Sequence, residues 1–256
     1  MSRDGIVPAD LRRVGREQLQ PYDSVVFRFG EAVDAQQTER GFAVVLDDGT
    51  MVHTRRLLLA TGVRDELPAI EGFAECWGKT VLHCPYCHGW EVRDQPLTLY
   101  GNAAIGMELA QLLRGWSRDL VLCTDGAVEL TVDEQQQLIR HDIGIREEKI
   151  VRLECTNGVL HRIIFATGEP LPRHALFLRP VQRQRSTLPA QLGCAFVGQG
   201  PLPDLVKVDP LGETSVPGLY VAGDAMTAMQ QAIVAAASGV VAAGAINRAL
   251  LQEEFN

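Results

Sequence analysis

Two cysteines separated by two residues are the most distinctive chemical feature of the sequence. Cys84 and Cys87 stand in the run HCPYCHG at residues 83–89. Two thiols at this spacing can close a small disulfide ring, and a helix that begins at the first of them lowers a thiol pKa toward neutrality. A flanking histidine, of which His88 is our candidate, can stabilise or generate the thiolate. A dithiol that relays electrons requires these residue types.

Three alternatives to a redox dithiol at residues 83–89 stay open but are less favoured. The order Cys84-x-x-Cys87-His88 is the attachment pattern of c-type haem, although that chemistry belongs outside the cytoplasm and no export signal is found. The two cysteines and two histidines could ligate zinc, but no second ligand pair follows at a structural-site spacing, so we predict no metal site. The pair could also be buried thiols without chemistry. We expect that for the four remaining cysteines, Cys76, Cys123, Cys155 and Cys194.

A second group of candidate residues lies near the end of the chain. Residues 218–222 predict a buried strand that ends at Gly223 and Asp224. A carboxylate just past such a glycine can bind a polyol, for example a ribityl or ribose chain. A helix starting near Gln231 and Ala232 would direct free backbone amides at an electron-rich ring edge.

Two further strand ends carry glycine turns. A leucine-rich strand leads into Thr61 and Gly62, and this turn makes the Gly-Asp signal more specific. Another strand leads into Gly101 and, after a GNAAIG turn, into a helix that contains Gly106. This is the arrangement of a dinucleotide-binding turn, but Ala103 replaces its second glycine and adds a methyl group where a pyrophosphate would approach.

Regular elements must position these residues. A helix is predicted at residues 8–19, where a proline marks its start, and a hairpin joins strands 42–46 and 51–59 through an Asp-Gly turn. From residue 79 onward strands and helices alternate, which predicts a parallel, doubly wound sheet. Further strands are predicted at 25–29, 97–100, 120–123, 150–155 and 159–166, and further helices at 104–113, 132–141 and 230–251.

Composition limits the class of protein. The chain has 256 residues, with 24 Lys plus Arg against 32 Asp plus Glu, and the basic residues are scattered, which disfavours nucleic acid as a partner. A hydrophobic fraction of 46% is ordinary for a globular chain. The apolar runs near its end are interrupted by polar residues and glycines, so we predict no membrane span. No signal peptide is seen, and a single close cysteine pair indicates a reducing, cytoplasmic location.

Three motifs in order resemble one enzyme family. The runs LLATG at 58–62, CPYCHG at 84–89 and TSVPGLYVAGD at 214–224 are similar to motifs of the thioredoxin reductase-like, FAD-dependent pyridine nucleotide-disulfide oxidoreductases. The CPYCHGW form looks most like the branch that includes dithiol oxidases. The resemblance implies an α/β, Rossmann-like two-domain fold that binds FAD and NAD(P). Residues 1–75 and 201–256 would form the FAD domain, and residues 76–200 an inserted domain that carries the dithiol.

Residue roles follow from this resemblance. Asp224, after Gly223, would hold the flavin ribityl chain, Gln231 and Ala232 would lie at the pyrimidine edge, and Thr61 with Gly62 would lie near the dinucleotide. Cys87 would face the flavin, Cys84 would exchange with substrate, and His88 would act as acid or base. Implied partners are a thioredoxin-like protein or a small-molecule dithiol or disulfide, and a second copy of the chain in a homodimer.

Two segments depart from the family pattern. Its members open with a strand, a Gly-x-Gly-x-x-Gly turn and a helix, whereas this sequence starts at what resembles the loop after that unit. We therefore expect either an upstream start or a truncated protein that holds FAD poorly; the alternative function is a flavin-free, non-catalytic binding subunit. After Gly101 and Gly106, Asp125 stands where an NADPH enzyme would carry basic residues, which disfavours NADPH and leaves NADH or no nicotinamide nucleotide as the options. An ordinary Asp-Gly turn without a ligand stays an equal alternative for this position.

Overall fold

In the computed structural model, which describes Arg3 and residues 5–199 and 202–256, the chain divides into two units, Met1–Arg55 and Arg56–Asn256. The described residues of the first unit form one helix and three strands. They are α1 (Pro8–Leu19), β1 (Ala32–Thr38), β2 (Gly41–Leu46) and β3 (Met51–Thr54). Pro8 stands in the first turn of α1, where its missing N–H costs nothing, and Arg13 pairs with Glu17 along the exposed helix. The predicted helix and the hairpin turn are confirmed. The predicted single strand at 51–59 is wrong, because it ends at Thr54 and residues 57–59 form a separate strand that pairs with residues 219–221.

The predicted strand at residues 25–29 is wrong. This segment is irregular, and Val26 and Phe29 are 76% and 85% exposed. Its residues have high β-propensity, but β2 is already paired on both sides in the antiparallel order β1-β2-β3. Strand β1 occupies that edge of the sheet instead, although its polar sequence AVDAQQT has low β-propensity.

The second unit begins with β4 and ends with a long helix. Its elements are β4 (Leu57–Leu59), β5 (Val63–Glu66), α2 (Phe73–Cys76), β6 (Val81–Leu82), α3 (Pro85–His88), β7 (Leu97–Tyr100), α4 (Ala103–Leu113), β8 (Leu120–Cys123), α5 (Val132–Arg140), β9 (Gly144–Arg146), β10 (Ile150–Thr156), β11 (Val159–Phe165), β12 (Leu171–Pro172), β13 (Ala175–Leu178), β14 (Val181–Gln184), α6 (Leu188–Gln191), β15 (Phe196–Gln199), β16 (Leu202–Val206), β17 (Leu219–Val221), a 3-10 turn (Gly223–Ala225) and α7 (Ala232–Phe255).

A parallel five-stranded sheet is the centre of this unit, in the order β6-β13-β7-β8-β9. Both of its faces are covered by apolar clusters. Alternate residues of β13 serve the two faces, since Phe177 packs into the cluster with Leu109 of α4 and Leu176 into the cluster with Ile163 of β11. The predicted parallel α/β sheet is therefore confirmed. The antiparallel sheet β10-β11-β12 supplies part of the second cluster.

Three two-stranded ladders lie outside the central sheet. Strands β4 and β17 pair in parallel, β5 and β14 pair antiparallel, and so do β15 and β16. The β4–β17 ladder brings together two strands whose carboxyl ends lead into predicted site residues. Strand β5 of the β5–β14 ladder begins directly after the residues that follow β4.

Helix α7 has most of its apolar surface exposed. Among the described residues it is the one helix long and apolar enough to cross a membrane, with a mean hydropathy of 1.6 over 18 residues of which 6% are buried. Ser238, which we expected to interrupt the apolar run, accepts a hydrogen bond from the backbone N–H of Gly223 at 2.9 Å. Arg56 and Glu253 form an ion pair near the other end of α7. The absence of a membrane partner stays a prediction.

Candidate active site

The two cysteines of the HCPYCHG run are joined by a disulfide in the structure. Their Cα atoms are 5.3 Å apart, one turn of α3. Pro85 occupies the first helical position and Cys84 the N-cap, where its Sγ accepts the backbone N–H of Cys87 at 3.2 Å. The sulfur of Cys84 thus lies at the positive end of the helical turn, where a thiolate is stabilised.

The two half-cystines differ in exposure. Cys84 is half-buried, whereas Cys87 and the candidate acid or base His88 are exposed. Tyr86, which lies between the two cysteines, and Trp90, three residues after Cys87, are 72% and 62% exposed. Sequence reasoning brought these residues together because they are neighbours in the chain.

The other cysteines are held away from chemistry. Cys76, Cys123 and Cys194 are buried, and Cys155 is half-buried. Burial raises the pKa of Cys123 and of Cys155 to about 12, and raises that of Cys194. At neutral pH such thiols are protonated and poorly nucleophilic, which agrees with the expectation that one dithiol is special.

A cavity of about 250 Å³ opens beside Cys84. It is lined by His83, Cys84, Tyr86, Arg179, Pro180, Gln182 and residues 228–231. Burial lowers the pKa of His83, against the opposing field of Asp65, so this imidazole is neutral at pH 7 and can accept a proton. The sequence indicated His83 as one of two histidines that flank the cysteine pair and as a possible zinc ligand, but His88 was the predicted acid or base; the position of His83 directly before Cys84 was the signal for a second base.

The residues predicted for the ribityl chain and for the dinucleotide lie at one sheet edge. Thr61 and Gly62 follow β4, and Gly223 and Asp224 follow β17, the parallel neighbour of β4. Gly62 and Gly223 have φ of 68° and 75°, a left-handed conformation that strains other residues. The carboxyl ends of adjacent parallel strands are a common ligand position. Burial raises the pKa of Asp224, and the nearby His83 opposes that shift.

Gln231 and Ala232 lie where the sequence placed them, at the start of α7. Gln231 is the N-cap and Ala232 the first helical residue, and no side chain caps this end. The backbone amides of the first turn therefore remain available to an acceptor. Gln231 also lines the cavity beside Cys84, so the two predicted groups of residues are brought together.

The dinucleotide-like turn has mixed geometry. Gly101 follows β7 with Ile105 packed over it, and a Cβ on Gly106 would lie 2.6 Å from the side chain of Leu122. Gly106 therefore permits the close helix–strand approach that such a turn needs. However, Asn102 already caps α4, because its Oδ1 accepts the N–H of Ile105 at 3.1 Å. One of the amides that would bind a phosphate is thus already used.

Comparison with known proteins assigns the family. The model of the pyridine nucleotide-disulphide oxidoreductase family matches residues 12–239. The chain belongs to this family. This chain is 28% identical to a thioredoxin reductase of Gibberella zeae over 277 residues. The alignment covers 92% of this chain and 79% of that protein.

Solved structures agree with this assignment. The putative thioredoxin reductase TrxB from Bacillus anthracis is 33% identical, with a TM-score of 0.91, over 99% of this chain and 84% of that one. HlmI is 36% identical, with a TM-score of 0.90, over 100% of this chain and 80% of that one. This oxidoreductase is therefore thioredoxin reductase-like, an enzyme of the flavin disulfide class, and the predicted two-domain FAD/NAD(P)-binding fold is confirmed.

The residues of this oxidoreductase fit a flavin nucleotide at the β4–β17 edge. Two buried polar atoms there, Oγ1 of Thr61 and Oε1 of Gln184, have no hydrogen-bond partner in the described part of the chain. A Cβ built on Gly62 would meet nothing within 4 Å, so the turn is open on that side. Unpaired buried oxygens beside an open glycine turn and an uncapped helix start suit a ligand that is rich in hydroxyl groups.

Proposed function

We propose that the protein is an FAD-dependent thiol–disulfide oxidoreductase in which Cys84 and Cys87 are the redox pair. The observation that carries the proposal is the Cys84–Cys87 disulfide at the start of α3, next to a cavity that also contains Gln231. Asp224, Gly223, Thr61 and Gly62 would hold the flavin nucleotide, with Gln231 and Ala232 at its ring edge. When bound, FAD supplies two-electron oxidation and reduction.

Thiol–disulfide exchange would move two electrons from a substrate dithiol to the Cys84–Cys87 disulfide. A thiolate of the substrate dithiol attacks Sγ of Cys84, the S–S bond breaks, and Cys87 leaves as a thiolate. The second substrate thiol, after losing a proton, attacks the mixed disulfide and releases Cys84. The substrate leaves as a disulfide, two electrons remain on the reduced cysteine pair, and two protons pass to the surroundings. The reverse sequence reduces a disulfide substrate.

Each sulfur has its own role in this proposal. Cys84 exchanges with substrate, as the resemblance to the family implies, and it lines the cavity that also contains Tyr86 and Gln231. Cys87 passes the electrons on to the flavin. His88, the exposed last residue of α3, moves a proton to or from a cysteine sulfur. Candidate substrates are a thioredoxin-like protein and a small-molecule dithiol or disulfide.

Single-cysteine variants provide a test that needs no flavin. We expect Cys87→Ser to trap a stable mixed disulfide between Cys84 and an added aromatic disulfide such as 5,5′-dithiobis(2-nitrobenzoate), seen as a mass increase on the Cys84 peptide. Cys84→Ser should be labelled on Cys87 without catalytic exchange. Loss of labelling at both positions would contradict a dithiol relay.

Flavin experiments then separate the variants and the electron partner. Protein incubated with FAD should bleach on anaerobic addition of a dithiol, Cys87→Ser should not bleach, and Cys84→Ser should keep a thiol beside the flavin. Oxygen uptake without NADH or NADPH would make the enzyme a dithiol oxidase rather than a reductase. Protein that stays colourless after incubation with FAD would favour the flavin-free binding subunit.

A further inference from the structure

We infer that Gln182 and Gln184 are positioning residues that hold the segment 225–231 in place beside the dithiol and the flavin-binding residues. The inference rests on the proposed function, because that segment connects Asp224 to the start of α7 and lines the cavity at Cys84. Neither glutamine belongs to a motif of the sequence. Both are carried by the short strand β14.

Gln184 holds the beginning of the segment. Its Nε2 donates to the carbonyl oxygen of Ala225 at 2.9 Å and to that of Asp204 at 2.7 Å. Both amide hydrogens are thus used, and Ala225 is fully buried at the end of the turn that contains Asp224. Its Oε1 is the buried acceptor without a partner noted above, so the same side chain offers an oxygen to a ligand hydroxyl or N–H.

Gln182 holds the far end of the segment. Its Nε2 donates to Oε1 of Gln230 at 2.9 Å, and its Oε1 accepts from Nε2 of Gln230 at 2.7 Å. The second hydrogen of the same Nε2 goes to Oδ1 of Asp65 on β5, at 2.7 Å. Gln182 is 6% exposed and Gln230 is half-buried, and the carboxylate of Asp65 fixes the orientation of the Gln182 carboxamide.

The two glutamines act from one face of one strand. Residues two apart in a strand point the same way, and β14 is fixed by its antiparallel ladder with β5. The residue after β14, Arg185, donates its N–H to the carbonyl oxygen of Gly62 at 3.2 Å. The end of β14 therefore contacts both glycine turns of the proposed flavin site, at Gly62 and at Ala225.

The segment has little other support. Its own backbone hydrogen bonds are local: Met226 to Gly223, Gln230 to Ala228 and Gln231 to Met229, each at 3.1 Å. Met229 is 60% exposed. Within the described part of the chain, β14 supplies the hydrogen bonds that tie residues 225–230 to another strand. Removing either glutamine should release the segment without unfolding the central sheet.

Amide hydrogen exchange on the flavin-free protein tests this role. We expect Gln182→Met and Gln184→Met, which keep side-chain length and lose the polar contacts, to speed exchange of amides 226–231 by at least about tenfold, the factor that one lost buried hydrogen bond gives. Gln184→Met removes one hydrogen bond to the segment, whereas Gln182→Met removes a reciprocal pair. Exchange in β7, β8 and β13 should not change. Gln191→Met is the matched control, because the Gln191 side chain is exposed and its hydrogen bond is local, to Thr187 at the N-cap of α6.

Two further measurements concern the affinity for FAD and the energetic coupling between Gln182 and Gln230. The dissociation constant for FAD, from flavin fluorescence quenching, should rise about tenfold in both variants, because the lost hydrogen bonds position the segment beside the flavin-binding residues. Gln182→Met/Gln230→Met should be no worse than Gln182→Met alone, because the two side chains act as one pair. Unchanged exchange at 226–231, or faster exchange throughout the unit with a lower unfolding midpoint, would overturn the inference. Cysteine trapping is independent of these readouts, so failure of the proposed relay would be recognised separately.

Discussion

The carboxylate of Asp125 accepts the backbone N–H of Ile150 at 2.6 Å, and its other oxygen lies 3.4 Å from the hydroxyl of Tyr100. Asp125 is thereby occupied by the protein itself, at a left-handed φ of 55°. Burial, together with Asp125, raises the pKa of Tyr100 to about 12, so the phenol stays a hydrogen donor. A carboxylate engaged in this way is a poor acceptor for a nucleotide ribose.

Replacing Asp125 should therefore affect stability more than nucleotide binding. We expect Asp125→Ala to lower the free energy of unfolding by about 1–3 kcal/mol, because the buried N–H of Ile150 loses its acceptor. Asp125→Asn keeps an acceptor oxygen and tolerates positive φ, so it should lose much less. Urea titrations of the three proteins measure the difference. A large change in NADH affinity with unchanged stability would contradict this assignment.

Gly106 should be intolerant of a side chain. A Cβ there would lie 2.6 Å from Cδ1 of Leu122, which is fully buried, so Gly106→Ala should destabilise by about 1–3 kcal/mol despite its better helix propensity. Gly239→Ala in α7 is the control, since a Cβ at that position meets nothing within 4 Å. The control should gain up to about 1 kcal/mol. Thermal unfolding of both variants provides the comparison, and equal effects would refute the packing argument.

The α/β part of the fold was predictable because its signals are local. Helix α4 was predicted at 104–113 and begins at Ala103, and α5 was predicted at 132–141 and ends at Arg140. Both starts are capped by nearby side chains, Asn102 and the capping box of Thr131 with Glu134. By contrast, β13 enters the sheet between β6 and β7, and nothing near a four-residue apolar run indicates that position.

Acid should destabilise the fold partly through His83. Burial lowers its folded pKa below the ordinary 6.5, so below about pH 6.5 the unfolded chain binds a proton that the folded chain does not. The free energy of unfolding therefore falls as the pH is lowered through that window and is retained above it. We expect His83→Asn to flatten this dependence between pH 7.5 and 5.5 in urea titrations. His161→Asn, at an exposed position, should leave it as in wild type.

Thiol counting should separate one reactive pair from four inert cysteines. Oxidised protein should react slowly with 5,5′-dithiobis(2-nitrobenzoate) at pH 8, since burial keeps the thiols of Cys123, Cys155 and Cys194 protonated. After reduction and desalting, two fast thiols should appear, and Cys84→Ser/Cys87→Ser should show neither. Rapid reaction of the oxidised protein would show that a further cysteine is accessible.

The candidate site was predictable only where its members adjoin in sequence. Cys84, Cys87 and His88 fall within one turn, and Gly223 with Asp224 follows one strand. Gln182 and Gln230 are 48 positions apart, and their pairing depends on how β14 lies against the segment before α7. The alternation of glutamines in VQRQR at 181–185 was the available signal, a period of two in which the polar residues face inward.

The open apolar face of α7 has a consequence for handling the protein. Val240 is 74% exposed, and Phe255, at the end of the helix, is 94% exposed. Contiguous apolar surface of this kind promotes self-association, and sulfate or phosphate at high concentration strengthens that tendency. We expect light scattering and 8-anilinonaphthalene-1-sulfonate fluorescence to rise together with ammonium sulfate concentration. Because self-association removes protein from solution, the salt in the buffer will then determine how much active protein a redox assay contains.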